Sequence, residues 1–227
     1  MADKQTPDET WRTQPMYTIS QAAQLARVHP STVRRWLYGY TPDPRFPDWR
    51  KPPVFGPQDK APYVSFLQLI EIVIAAEFRK EGSVPLDAVT RAHQNARKMF
   101  ELEYPFAHGN LESLGGHIVQ WINDETAQGI DAPTLYSLPG LVRKRMLEVD
   151  YERDLAARWY PVGKPIPIVV DPRFAAGVPT IDGRGVSVRT IYKRWKADQP
   201  IAFIADDLAL EPGVVERALR YADKIAA

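Results

Sequence analysis

The chain has 227 residues, 44% of them hydrophobic, no cysteine and a formal net charge of +1. Those values allow one large domain or two smaller ones, and they exclude a disulfide framework, a thiolate metal site and a cysteine nucleophile. The first residues hold no apolar run of signal-peptide type and no later stretch approaches the roughly 18 apolar residues of a membrane span, so the sequence predicts a cytoplasmic protein with no membrane partner.

In chain order, residues 1–16 are polar and without periodicity, and are expected to form a mobile arm. No Asp or Glu occurs between Trp11 and Pro42, and residues 17–51 hold six Arg or Lys against two Asp, a local +4 that leaves −3 for the rest of the chain. A positive field gathered on one element is what attraction to phosphate requires. A solvated basic helix face is the plain alternative.

Thr18 to Gln21 fits a capping box, which predicts a helix from Thr18 to about Arg27 with Ala22, Ala23 and Ala26 keeping one face small. Val28 falls in a turn, Pro30 takes the first position of a second helix, and Val33, Trp36 and Leu37 form its inward stripe. Two short helices crossing on small residues describe a helix-turn-helix, whose second helix can enter a major groove. Ser31, Thr32, Arg34, Arg35 and Tyr38 lie off the stripe as donors suited to phosphate oxygens and base edges, while Trp36 is assigned to the core. An ordinary helical hairpin with a charged outer surface fits the same spacing.

The stretch ISQAAQLARVHPSTVRRWL resembles the start of MerR-type regulators, in which a Thr-hydrophobic-Arg triplet, here Thr32, Val33 and Arg34, opens the recognition helix. The resemblance implies a basic wing next, with Arg50, Lys51 and the segment to Tyr63 as its counterpart on backbone phosphates. The chain departs from that family in a long proline-rich insertion, and it lacks a terminal coiled coil and a cysteine cluster for effectors. Metal sensing is therefore not implied.

Seven prolines between residues 39 and 63 forbid a helix and favour a hairpin or loop. Apolar residues at steps of three and four predict helices over Ser65–Lys80 and Pro85–Leu102, the second ended by Tyr104 and Pro105. Residues 116–123 and 165–170 are strand candidates separated by an expected helix from Pro139 to Asp154. A loop with turn glycines follows Asp171, then helices over 188–197, 201–208 and 212–225.

Residues 19–40 align without a gap on 201–222, matching Ile19 with Ile201, Ala23 with Ala205, Pro30 with Pro212, Val33 with Val215, Arg35 with Arg217 and Leu37 with Leu219. Both ends are thus expected to carry a helix-turn-helix. Glu216 stands where the first copy has Arg34, and Asp206 and Asp207 replace Gln24 and Leu25. The second copy therefore suits dimerisation or partner binding better than DNA. Arg189, Lys193, Arg194 and Lys196 form a basic patch on the preceding helix, with solvated surface as its plain reading.

The predicted class is mainly α with a minor β part. It comprises a winged helix-turn-helix with supporting helices over 17–110, connecting strands and a helix over 111–165, and a three-helix C-terminal unit over 166–227. Within that last unit Asp171-Pro172, the run Gly177 to Ile181, Gly183 and the run Ala218 to Tyr221 resemble the antitoxin-like family catalogued as domain of unknown function 433, over about residues 166–223. The family usually has Gly-Thr-Arg where this chain has Gly183, Arg184 and Gly185. Members with this two-part layout are VapB-like antitoxins, so the resemblance implies a PIN-class ribonuclease toxin as partner and repression of the chain's own operon.

His29, His93, His108 and His117 show no metal-ligand spacing, the glycines near 183 lack a P-loop lysine, and no Gly-x-Ser-x-Gly elbow occurs. A non-enzyme without cofactor or metal is expected. It would bind double-stranded operator DNA as a homodimer. The rival expectations are a MerR-like regulator without a toxin and a pure protein-interaction module.

Overall fold

The caps, turns and apolar stripes of the sequence are laid out in a computed structural model that describes residues 7–56, 61–80, 84–109 and 148–226. It is mainly α with short two-stranded sheets. The chain divides into two units, one of residues 1–146 with 151–156, the other of 147–150 with 157–227; each is described by itself.

In the first unit β1 (Tyr17–Thr18) leads into α1 (Ile19–Ala26). The Thr18 hydroxyl accepts from Gln21 N at 3.2 Å and the Gln21 side chain accepts from Thr18 N at 2.8 Å, the predicted capping box. Arg27 then turns the chain in the left-handed region at φ 53°, and α2 (Pro30–Tyr38) begins on the predicted proline. Val33, Trp36 and Leu37 are buried, with Ala22 and Ala23 across the crossing.

β1 pairs antiparallel with β2 (Tyr63–Val64), Tyr17 opposite Val64, at the end of the proline-rich connection. Next comes α3 (Phe66–Lys80), started by a second capping box in which Ser65 N donates to Gln68 Oε1 at 2.8 Å and Gln68 N to Ser65 Oγ at 3.2 Å. α3 is buried on nearly every side, beyond the single broad face expected, which makes it the central helix of the unit. α1, α4 (Leu86–Met99) and the 3-10 turns at Pro7–Arg12 and Pro105–Ala107 pack on it.

Its one buried carboxylate, Glu71, is satisfied on both oxygens. Phe106 N donates to Oε1 at 2.8 Å and His93 Nε2 lies 2.5 Å from Oε2, with His93 0% and Glu71 2% exposed. Phe55 and Phe106 stand edge-on to the imidazole. His93 is therefore a core histidine.

Three expectations are corrected. The polar arm has structure from Pro7: a 3-10 helix runs to Arg12, which is 1% exposed and donates to the Glu152 carbonyl at 3.0 Å, a partner 140 residues away. The helix expected to reach Asp154 gives way over its described end to a strand pair, β3 (Val149–Glu152) and β4 (Leu155–Trp159). The turn between them places Arg153 and Asp154 at φ 49° and 61°, a left-handed pair of the kind tight hairpins need. The loop after Asp171 contains β6 (Thr180–Ile181), paired antiparallel with β5 (Ile168–Val169). The strand expected at 116–123 lies outside the described residues.

In the second unit three helices follow that pair: α5 (Val188–Lys196), α6 (Ile201–Asp207) and α7 (Pro212–Ala226). Ile191, Ile204, Val215 and Ala218 meet with Ile168 and Ile181 in one core. Near the strands, Asp150 accepts from Lys164 Nζ at 2.7 Å, Arg158 Nη2 at 2.8 Å and the Tyr160 hydroxyl at 3.2 Å. Burial works against its ionisation, but Lys164, Arg158 and Tyr160 together outweigh it and hold the carboxyl below its ordinary range. Its stabilising effect is therefore complete above the unfolded carboxylate pKa of about 3.9 and is lost as pH falls through the lower folded value. Asp150→Asn should flatten that acid loss and cost less than about 1 kcal/mol at neutral pH; an unaltered acid limb in pH-dependent urea melts would refute the role.

The internal alignment holds in the backbone. Arg27 and Ala209, equivalent by the offset, are both left-handed at φ 53° and 50°. Val28 N donates to Ala23 O at 2.9 Å and Leu210 N to Ala205 O at 2.8 Å; Val33 N donates to His29 O at 3.4 Å and Val215 N to Glu211 O at 3.3 Å. The same turn is built twice from unlike residues.

Candidate nucleic-acid interface

α2 carries no acidic residue in its first turn, so the positive end of its dipole meets no carboxylate of its own helix. His29 caps it, its Nδ1 accepting from Ser31 N at 3.2 Å with Ser31 Oγ at 2.8 Å. Ser31, Arg34, Arg35 and Tyr38 follow at steps of three, one and three and share one face, the face opposite buried Val33, Trp36 and Leu37. Arg34 and Arg35 are exposed, and Ser31, Thr32 and Tyr38 are half-buried.

Two of these side chains have partners that sequence spacing could not supply. The Arg35 guanidinium stands 5.0 Å over the Tyr40 ring. The Tyr38 hydroxyl donates to the Ala61 carbonyl, so its proton ties the helix to the returning connection and is not free for DNA. Arg34 makes no ion pair among the described residues.

The expected wing is joined to the C-terminal end of α2 by a backbone bridge, Tyr40 N donating to Lys51 O at 3.1 Å and Lys51 N to Tyr40 O at 2.8 Å. Arg50 Nη2 donates to the Tyr38 carbonyl at 3.3 Å. Lys51 Nζ lies 3.5 Å from Asp87 on α4, both exposed. Arg50 and Lys51 are thus gathered at the end of the helix that holds Arg34 and Arg35.

Gly39 makes the junction possible, since it sits at φ +69° and a Cβ there would run into the Lys51 carbonyl oxygen. Gly39→Ala is expected to cost about 1–3 kcal/mol and to detach the wing. A thermal melt equal to wild type would refute it.

Inside the wing, Asp43 and Arg45 form a two-pronged pair at 3.0 and 2.7 Å, and the Arg45 guanidinium holds the Asp43 carboxyl below its usual range. Phe46 and Trp49 stack at 4.5 Å with 45% and 63% exposure. Sequence reasoning assigns neither aromatic a place; their three-residue spacing in a proline-rich loop is the available signal. It likewise passes over Arg27, exposed at the turn, although that residue lies in the acid-free stretch.

Residues 168–222 match the family described as Protein of unknown function (DUF433). The matched segment runs from β5 to α7, the unit that holds the Asp171-Pro172 and Ala218 to Tyr221 hallmarks. Over most of its length the chain is similar to the Uncharacterized protein Rv2308 of Mycobacterium tuberculosis, 27% identical over 225 residues that cover 92% of this chain and 90% of that one. It also resembles the crystal structure of Rv2018 from Mycobacterium tuberculosis, with a TM-score of 0.69 and 20% identity over 91% of this chain and 98% of that one. At that identity the likeness is one of fold. Among the described residues no helix is long and apolar enough to cross a membrane.

Proposed function

We propose that the chain is a cytoplasmic, non-enzymatic DNA-binding antitoxin of a type II toxin-antitoxin system, which represses its own operon and neutralises a PIN-class ribonuclease. The observation that carries the DNA-binding half is the face of α2, where exposed Arg34 and Arg35 share a surface with Ser31, opposite a buried apolar stripe. Arginines so placed suit guanine edges and phosphate oxygens, and Arg50 and Lys51 extend the surface for backbone contacts. The resemblance to MerR-type regulators from Ile19 to Leu37 supports the same assignment.

A homodimer with half-sites about 34–36 Å apart fits this reading. The toxin half rests on the resemblance of residues 166–223 to antitoxin-like proteins. The test is an electrophoretic shift of purified protein on DNA from upstream of its own gene, against random duplex at physiological salt, followed by co-purification with the product of the neighbouring gene. Specific retardation and a co-purifying ribonuclease are expected, and retardation no stronger on the upstream DNA than on random duplex would overturn operator binding.

One observation favours a second reading, a protein-interaction module whose first unit is structural. The Phe46–Trp49 stack exposes apolar surface of the kind that partners cover. No binding to any duplex, together with capture of the neighbouring gene's product, would decide for it.

A further inference from the structure

In the second unit α5 carries four cations and no carboxylate, whereas α7, which occupies the place that α2 holds in the first, mixes Arg217, Arg220 and Lys224 with Glu216 and Asp223. No Asp or Glu lies between Asp182 and Asp198, while Arg184, Arg189, Lys193, Arg194 and Lys196 all do. Arg189, Lys193 and Lys196 follow at steps of four and three, all exposed, on the side of α5 away from buried Val188 and Ile191.

None of these three has a carboxylate partner among the described residues, whereas Arg194 is taken up by Asp207 at 2.5 Å and Gln199 at 2.6 Å. Lys196 Nζ stands 4.9 Å from the Trp195 ring and 5.4 Å from that of Tyr192, and Trp195 keeps 37% of its surface exposed. On α7, by contrast, Glu216 is paired with Arg220 at 3.1 Å, and Glu211 and Asp223 are exposed beside it. Carboxylates there would repel a phosphate backbone.

We propose that the exposed face of α5 is a second DNA-contacting surface, which holds the duplex phosphate backbone through Arg189, Lys193 and Lys196 without reading sequence. The choice of duplex DNA as occupant rests on the DNA-binding reading of the first unit. The three side chains span about 10 Å of helix axis, against one phosphate per about 3.4 Å of duplex axis on each strand, so three contacts fit one backbone. Lys193 and Lys196 also lie in the last turn, where cations favour the helix dipole; that role affects helix stability and not the salt dependence of DNA binding.

The test uses the full chain and its R189Q/K193Q/K196Q variant, with affinity measured against salt on the upstream DNA and on random duplex. The slope of log affinity against log salt is expected to shrink by about 3, close to 0.9 for each phosphate that is no longer neutralised, equally on both duplexes, with the ratio between them unchanged. The charge-preserving R189K/K193R/K196R variant should keep the wild-type slope. An unaltered slope in the glutamine variant overturns the proposal, whatever its melting temperature. If wild type fails to distinguish upstream from random DNA, operator binding fails, and the random-duplex slopes alone decide for or against α5. Binding to neither duplex overturns both readings.

Discussion

Replacing Arg34 and Arg35 together by Ala should abolish specific retardation of upstream DNA while leaving the melting temperature close to wild type. Both side chains are exposed, and the one aromatic contact at stake, Arg35 over Tyr40 at 5.0 Å, is worth about 0.5–1 kcal/mol at such a site. A good arginine contact to a base is worth about 1–3 kcal/mol, so removing two should weaken binding by about 2 kcal/mol or more, roughly thirtyfold. Salt must be matched between proteins, because phosphate contacts alone change affinity steeply with ionic strength. Affinity equal to wild type at the same salt would remove α2 as the recognition helix. Replacing Arg50 and Lys51 should act differently, weakening all duplexes alike, because contacts to the backbone position the protein without specifying sequence.

The largest stability effect is expected at Glu71. Truncation to Ala strips the acceptor from Phe106 N and from His93 Nε2 in a site where both side chains of the pair are at most 2% exposed. Breaking a buried pair by removing one partner costs about 3–5 kcal/mol, because the remaining polar groups stay desolvated without a bond. That is a large share of a domain's stability, so Glu71→Ala should loosen α3, α4 and the turn at 105–107 together and melt at much lower denaturant. Glu71→Gln keeps one acceptor and should be destabilised less. A Glu71→Ala protein with a wild-type urea midpoint would show that the pair contributes nothing net. Since Glu71 and His93 lie in the helices behind α1 and α2, the same variant is expected to weaken DNA binding only through unfolding, a distinction the Arg34 and Arg35 variant does not share.

Features whose partners lie within a few residues were legible in the chain alone. The capping box at Thr18 and Gln21, the proline opening α2, the apolar steps of α3 and the kinship of 19–40 with 201–222 depend on contacts three or four positions apart, and each is present in the structure. The outward face of α2 followed from the same periodicity. What the sequence withheld was every pairing across a long loop: Arg12 with Glu152, Glu71 with His93 and Phe106, β5 with β6, and the Tyr38 hydroxyl with Ala61. Local spacing carries no record of such partners, since closing the loop between them costs entropy that only the finished packing offsets. The hairpin turn at Arg153 and Asp154 was hidden for a related reason: neither residue is the glycine or asparagine that announces a left-handed turn, and strand pairing holds them there together with a distant partner, Gly109 N, which donates to the Asp154 carbonyl at 2.6 Å. The sequence by itself therefore determined α1 to α7 and which arginines of α2 face outward, while tertiary structure put β3 and β4 where a helix end was expected and decided that Arg50 and Lys51 join those arginines and that the hydroxyl of Tyr38 does not.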